Sequence, residues 1–91
     1  MMKLAITHDA SKYLQALQAK QYKQVGSTVL KLLADPEPHD SQGLKGAKQG
    51  ERRVDIGEYR IIYHYNNDTV FILVIGKRND DDVYKVWERQ S

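Results

Sequence analysis

Four side chains in the second half of the chain have the chemistry to act together on an anion. Arg53, Arg60 and Arg78 carry guanidiniums, and Tyr84 follows Arg78 by six residues. Arginine stays charged at any physiological pH and offers planar, forked donors that match a phosphate group. The stretches that hold the first two read as strands, in which side chains on one face recur at every second residue. Arg53 and Asp55 then share a face opposite Arg52, Val54 and Ile56. In the next run, Arg60, Ile62 and His64 share a face opposite Ile61, Tyr63 and Tyr65. If Arg78 lies on the same side as Arg60, three guanidiniums converge and make a phosphate site. Periodicity alone favours a plainer reading, in which they are ordinary solvent-facing arginines.

Other chemistry is poorly supported. Asp80, Asp81 and Asp82 lack the spacing and glycine of a calcium loop, and a helix start explains them better. His8, His39 and His64 are scattered without metal-ligand spacing. Gly43, Gly46 and Gly50 do not form a phosphate-binding loop signature and read as turn residues. Tyr84 and Trp87 taken singly are half-buried helix aromatics.

The elements that must position these residues follow from the pattern. Residues 3 to 7 form a short strand. Thr7 or Asp9 caps a helix running to about Lys20, with Ala10, Tyr13, Leu14 and Leu17 on one face. A second helix covers roughly 22 to 34 and stops at Pro36-Glu37-Pro38, because proline lacks an N–H and disfavours helix in the residue before it. Residues 35 to 50 read as a loop anchored by Leu44. Strands follow over 51–56, 59–65 and 69–75, the last two joined by a turn at Asn66-Asn67-Asp68, residues that tolerate left-handed angles. TVFILVI, almost wholly apolar, reads as a central strand covered on both faces. Residues 80 to 89 form a last helix docked by Val83, Val86 and Trp87. The expectation is one α+β domain over residues 1–91: a short strand, a helical hairpin, a three-stranded antiparallel sheet and a C-terminal helical segment.

Composition bounds the function. Ninety-one residues make one thin core. With 14 Lys and Arg against 12 Asp and Glu, the net charge is +2, so an anion site must be a local pocket rather than a broad basic face. The chain has no cysteine, which excludes disulfides and thiolate metal sites and fits a reducing cytosol. The N-terminus is too short in apolar residues for a signal peptide, and no run approaches a membrane span. A soluble cytoplasmic protein is expected.

The ordered set LKG (44–46), RRVDIGEYRIIY (52–63), VIGKR (74–78) and Val83-Tyr84 resembles the RelE/ParE superfamily of toxins from type II toxin–antitoxin systems. The resemblance covers essentially the whole chain. The spacing of Tyr84 after Arg78 is similar to the RelE-like branch, whose members cut mRNA in the ribosomal A site. ParE-like members instead inhibit DNA gyrase and lack the nuclease site.

The resemblance implies roles. The substrate's own 2′-hydroxyl attacks the adjacent phosphate, so the protein binds that phosphate, stabilises its charge and moves protons. Arg60 and Arg78 would clamp the phosphate. Arg53 would stabilise the transition state or hold the RNA backbone. Tyr84 would orient the nucleotide and take part in proton transfer, and Lys45, Lys48 and Lys77 are secondary RNA contacts. One departure stands out: Asp55 occupies a position that is often basic in RelE proteins. It is a candidate base, a partner of Arg53 or Arg60, or a residue that repels phosphate. His64 is a second candidate base. The implied partners are the ribosome, mRNA and a cognate antitoxin whose flexible segment wraps the toxin in a hetero-oligomer, with Tyr22, Val29 or Trp87 as docking candidates. No metal or organic cofactor is implied. Gyrase inhibition without nuclease activity, or an inactive antitoxin-binding protein, remain the alternatives.

Overall fold

A computed structural model describes residues 2–79 and 81–90. Its elements are β1 (Lys3–Ile6), α1 (His8–Gln15), α2 (Ala19–Ala34), β2 (Gln42–Gly43), β3 (Arg52–Ile56), β4 (Tyr59–Tyr65), β5 (Thr69–Lys77) and α3 (Asp82–Gln90). The strands form a five-stranded sheet in the order β1-β5-β4-β3-β2. β1 pairs parallel to β5, and every other pair is antiparallel. The three strands expected in the second half are joined by the expected N-terminal strand β1 at one edge, and two residues of the 35–50 loop add β2 at the other.

The helices divide between the two faces. α1 and α2 cover one face, where Val25, Val29 and Leu32 pack on Val54, Ile61, Tyr63, Val70 and Ile72. α3 covers the other, where Val83, Tyr84, Val86 and Trp87 pack on Ile62, Leu73 and Val74, with Leu44 as the expected loop anchor. β5 is thus central and covered on both sides, as its sequence predicts.

β5 does not alternate evenly. The register shifts after Ile62, which faces Val74, so that Tyr63 faces Ile72. Leu73 and Val74 consequently both pack toward α3, while Ile72 and Ile75 pack toward α1 and α2. This is the signature of a β-bulge, with one extra residue on one strand. The carbonyl of Leu73 accepts from the Thr7 hydroxyl at 2.6 Å and from the Gln90 side-chain amide at 3.1 Å. The bulge therefore ties the start of α1 and the end of α3 to one point of the sheet.

Gly76 lies beyond the bulge, opposite Arg60. A Cβ at Gly76 would sit 2.5 Å from Cγ1 of Val83. The missing side chain is what lets α3 lie directly on β5. The β3–β4 turn uses a second glycine, Gly57, at φ 55°. It is the first central residue of a two-residue hairpin, where a positive φ matches strand twist and glycine carries no steric penalty.

Local signals explain most boundaries. Thr7 caps α1 by accepting from the Ala10 N–H at 3.2 Å. α2 runs through Gly26 and ends at Ala34, with Asp35 as its C-cap just before Pro36. The expected first helix to Lys20 is corrected: it ends at Gln15, and α2 starts at Ala19. The Leu17 N–H donates to the Leu14 carbonyl at 3.2 Å, so the helix tightens and stops with no glycine or proline to mark it. The turn after β4 is where expected, but for another reason. Asn66 Oδ1 accepts from the N–H groups of Asp68 and Thr69 at 3.0 and 2.9 Å, and every described residue with positive φ is glycine. Asp80 lies outside the described residues; the last helix starts at Asp82, two residues later than expected.

Candidate functional site

The β3–β4 hairpin builds the site. Its two-residue turn sets Asp55 directly opposite Arg60, and Arg53 opposite Ile62. A slip of one residue would send Arg60 to the α1–α2 face, so the turn at Gly57 determines which side carries Arg60. Val54 and Ile56 anchor β3 in the larger core, which leaves Arg53 and Asp55 on the α3 side.

Arg60 is the centre of the cluster. Its Nε donates to Asp55 Oδ1 at 2.6 Å, and its Nη2 donates to Asp55 Oδ2 at 3.0 Å. Its Nη1 donates to the Tyr84 hydroxyl at 2.6 Å. The Arg60 side chain is 13% exposed, against 33% for Asp55. A paired, forked contact of this kind fixes the guanidinium plane as well as its position. The hydrogen bonds from Arg60 hold the Asp55 carboxyl below its ordinary range, outweighing the opposing effect of burial, and the charges of Arg53 and Arg78 add to the lowering. Asp55 in turn keeps Arg60 firmly charged.

The other two arginines gather more loosely. Arg53 reaches Asp55 Oδ2 at 3.9 Å and donates to Gln42 Oε1 at 2.7 Å, so it leans toward β2. Arg78 follows β5; its backbone N–H donates to the Glu58 carbonyl at 2.8 Å, and its exposed side chain acts on Asp55 through charge. Asp55 thus feels all three guanidiniums expected from the sequence: Arg60 through paired hydrogen bonds, Arg53 at 3.9 Å and Arg78 through charge alone. Tyr84 joins them because Val83, its neighbour, seats α3 on Gly76.

The remaining candidates lie apart. Alternation past the bulge places Lys77, the register partner of Tyr59, on the side opposite Arg60. Lys45 and Lys48 line an open cleft of about 480 Å³ with Glu51, Leu73, Trp87 and Gln90. That cleft lies toward the far end of β3, about 13 Å from Asp55 at strand rise. Its Glu51 is buried and accepts from the Gln49 N–H at 2.7 Å and the Trp87 indole at 3.3 Å. Burial pushes the Glu51 carboxyl up, but these donors together with its own backbone N–H bring it below the ordinary value. Glu51 is a structural residue that sequence reading missed; its place in an alternating charged strand gave no sign of burial. His64 stacks on Phe71 at 4.6 Å between ring centres, four strand positions from Arg60. It does not join the arginine cluster.

Comparison with known proteins places the chain in a family. Residues 4–82 match the family model described as ParE toxin of the type II toxin–antitoxin system parDE. No curated protein sequence matches the chain. Among solved structures, a chain of the archaeal RelE–RelB complex from Pyrococcus horikoshii OT3 is 26% identical, with a TM-score of 0.73 over 85% of this chain and 94% of that one. The isolated E. coli RelE toxin is 19% identical, with a TM-score of 0.74 over 99% and 98%. A chain of the RelB–RelE complex from Methanococcus jannaschii is 18% identical, with a TM-score of 0.67 over 89% and 95%. With a family model matched over most of its length and a fold shared with RelE toxins, this chain belongs to the ParE toxin family within the RelE/ParE superfamily of type II toxin–antitoxin systems.

Proposed function

We propose that the protein is a ribosome-dependent mRNA endoribonuclease that acts through the Arg60 cluster. The observation that carries this reading is the bond from Arg60 to Tyr84, with Arg53 and Arg78 close enough to act on the same carboxylate. Three cations and a phenol gathered beside α3 suit a phosphodiester better than a neutral ligand.

The chemistry needs little from the protein beyond positioning. The ribose 2′-oxygen forms a bond to the adjacent phosphorus, and the bond from phosphorus to the 5′-oxygen breaks. A 2′,3′-cyclic phosphate and a 5′-hydroxyl result. Arg60 and Arg78 would hold the non-bridging oxygens, and Arg53 would stabilise the extra negative charge of the transition state. The Tyr84 hydroxyl accepts from Arg60, which leaves its own proton free to be donated to the leaving 5′-oxygen. The 2′-hydroxyl proton leaves to water. Asp55 is close and ionised, but its lowered pKa makes it a weak acceptor.

Two further calls belong to this reading. The chain would be neutralised by a cognate antitoxin, as the solved relatives in complexes with RelB suggest. Of the residues considered for docking, Val29 is excluded, because it is only 4% exposed within the core; Tyr22 is 47% exposed and Leu30 on the same helix 61%. No described helix is long and apolar enough to cross a membrane, and a cytoplasmic site of action fits the proposed substrate.

A second reading, a gyrase inhibitor, is favoured by two observations: Asp55 takes the side edge of Arg60, and the matched family model is that of ParE. Two assays separate the readings. Primer extension on translating ribosomes with purified protein should show new mRNA ends, and DNA supercoiling by gyrase should be unaffected. Intact mRNA together with arrested gyrase would overturn the nuclease reading.

A further inference from the structure

Asp55 sits against Arg60 and beside Arg53, where an anionic ligand would be drawn. Both of its oxygens are on Arg60, and Oδ2 also faces Arg53. Arg60 has five N–H donors. Asp55 takes two and Tyr84 takes one, so two remain for a ligand. A phosphate can therefore join Arg60 without displacing the aspartate. It would meet a cluster of three cations and one anion, with a net charge of +2 rather than +3.

We propose that Asp55 is a built-in counter-anion that weakens the grip of Arg53, Arg60 and Arg78 on a phosphate group while holding the Arg60 guanidinium in its plane. It is a positioning residue and not the base of the reaction. This rests on the reading of the Arg60 cluster as an anion site, but not on cleavage of RNA. The charge does what a phosphate would do to the arginines when no ligand is bound. It keeps three cations close together on the sheet and leaves binding to a diester weak and reversible. Weak ground-state binding is an advantage for an enzyme, because affinity spent on the substrate does not lower the barrier.

The test is titration with inorganic phosphate, followed through the ¹⁵N–¹H resonance of the Arg60 Nε–H group. In the wild type that resonance should shift at high phosphate concentration while the bond to Asp55 persists. Asp55→Asn keeps the size and one acceptor oxygen but removes the charge, and it should bind phosphate about tenfold more tightly or better. Asp55→Glu keeps the charge and should stay within a few-fold of the wild type. If Asp55→Asn fails to fold, Asp55→Ser serves the same comparison. Equal or weaker phosphate binding in the charge-removing variant overturns the proposal, as does an Arg60 resonance that phosphate never moves. Tighter binding in a protein that leaves mRNA uncut would sustain the counter-anion and reject the nuclease reading.

Discussion

Gly76→Ala tests how the helix that carries Tyr84 is held. The new Cβ would lie 2.5 Å from Val83 Cγ1, on a side chain that is 2% exposed and cannot swing away. Overpacking of this kind costs about 1–3 kcal/mol. The loss of glycine's freedom in the unfolded chain offsets about 0.4–1 kcal/mol of that. The net should be about 1–2 kcal/mol of destabilisation, and at roughly 4–8 °C per kcal/mol for a domain of this size the Tm should fall by about 5–15 °C. Val83→Ala alone removes two buried methyl groups and should cost about 1.5 kcal/mol or more. The double variant is the decisive one. With Cγ1 gone, the new Cβ at position 76 meets Val83 Cβ at 3.9 Å, an ordinary contact. The two changes should therefore couple favourably by about 1 kcal/mol or more, well beyond the roughly 0.3–0.5 kcal/mol expected of independent sites. Thermal unfolding followed by circular dichroism measures all four proteins. A Gly76→Ala protein as stable as the wild type, or a pair of effects that simply add, would refute the claim that Gly76 seats α3.

Three further outcomes follow from the site. Tyr84→Phe removes the acceptor of Arg60 Nη1 at a partly exposed position. It should lower the cleavage rate by about 10²-fold or more, while stability changes by no more than about 1 kcal/mol; a rate near that of the wild type would remove Tyr84 from the mechanism. Asp55 gives a pH dependence of defined sign. Its pKa is depressed in the folded protein, so the Arg60–Asp55 pair contributes stability above the unfolded value near 3.8, and that contribution is lost as the pH falls through the lower folded value. Arg60→Gln should flatten the stability profile in this acid range, as read from urea midpoints at a series of pH values; an unchanged profile would show that the pair is not coupled to folding.

The residues of the site were easier to read from sequence than their arrangement. Strand alternation paired Arg53 with Asp55 on one strand and Arg60 with Ile62 and His64 on the next; it is the two-residue turn and the regular register of β3 with β4 up to Ile62 that bring the two sets to one face. It could not place Arg78, because the bulge at Leu73-Val74 reverses alternation within a run of apolar residues that looks uniform. The same bulge sends Lys77 away from the cluster. β2 was illegible because two residues with no apolar side chain carry no periodicity, and they are held by pairing with β3 and by Arg52 bonding to Ser41. The break between α1 and α2 was missed because no helix-breaking residue marks it. Asp55 was recognised as unusual, but its engagement of both Arg60 donors is a matter of geometry.

The proposed cleavage is attack by the ribose 2′-oxygen on a phosphate held by Arg60. The most direct measurement uses a translated mRNA with a single 2′-deoxy nucleotide at the mapped cleavage position, compared with its all-ribose counterpart on programmed ribosomes. The all-ribose message should be cut to leave a 2′,3′-cyclic phosphate, the deoxy message should stay intact at that position, and Arg60→Ala should cut neither. Cleavage of the deoxy message at the same position, or full activity of Arg60→Ala on the all-ribose message, would contradict it.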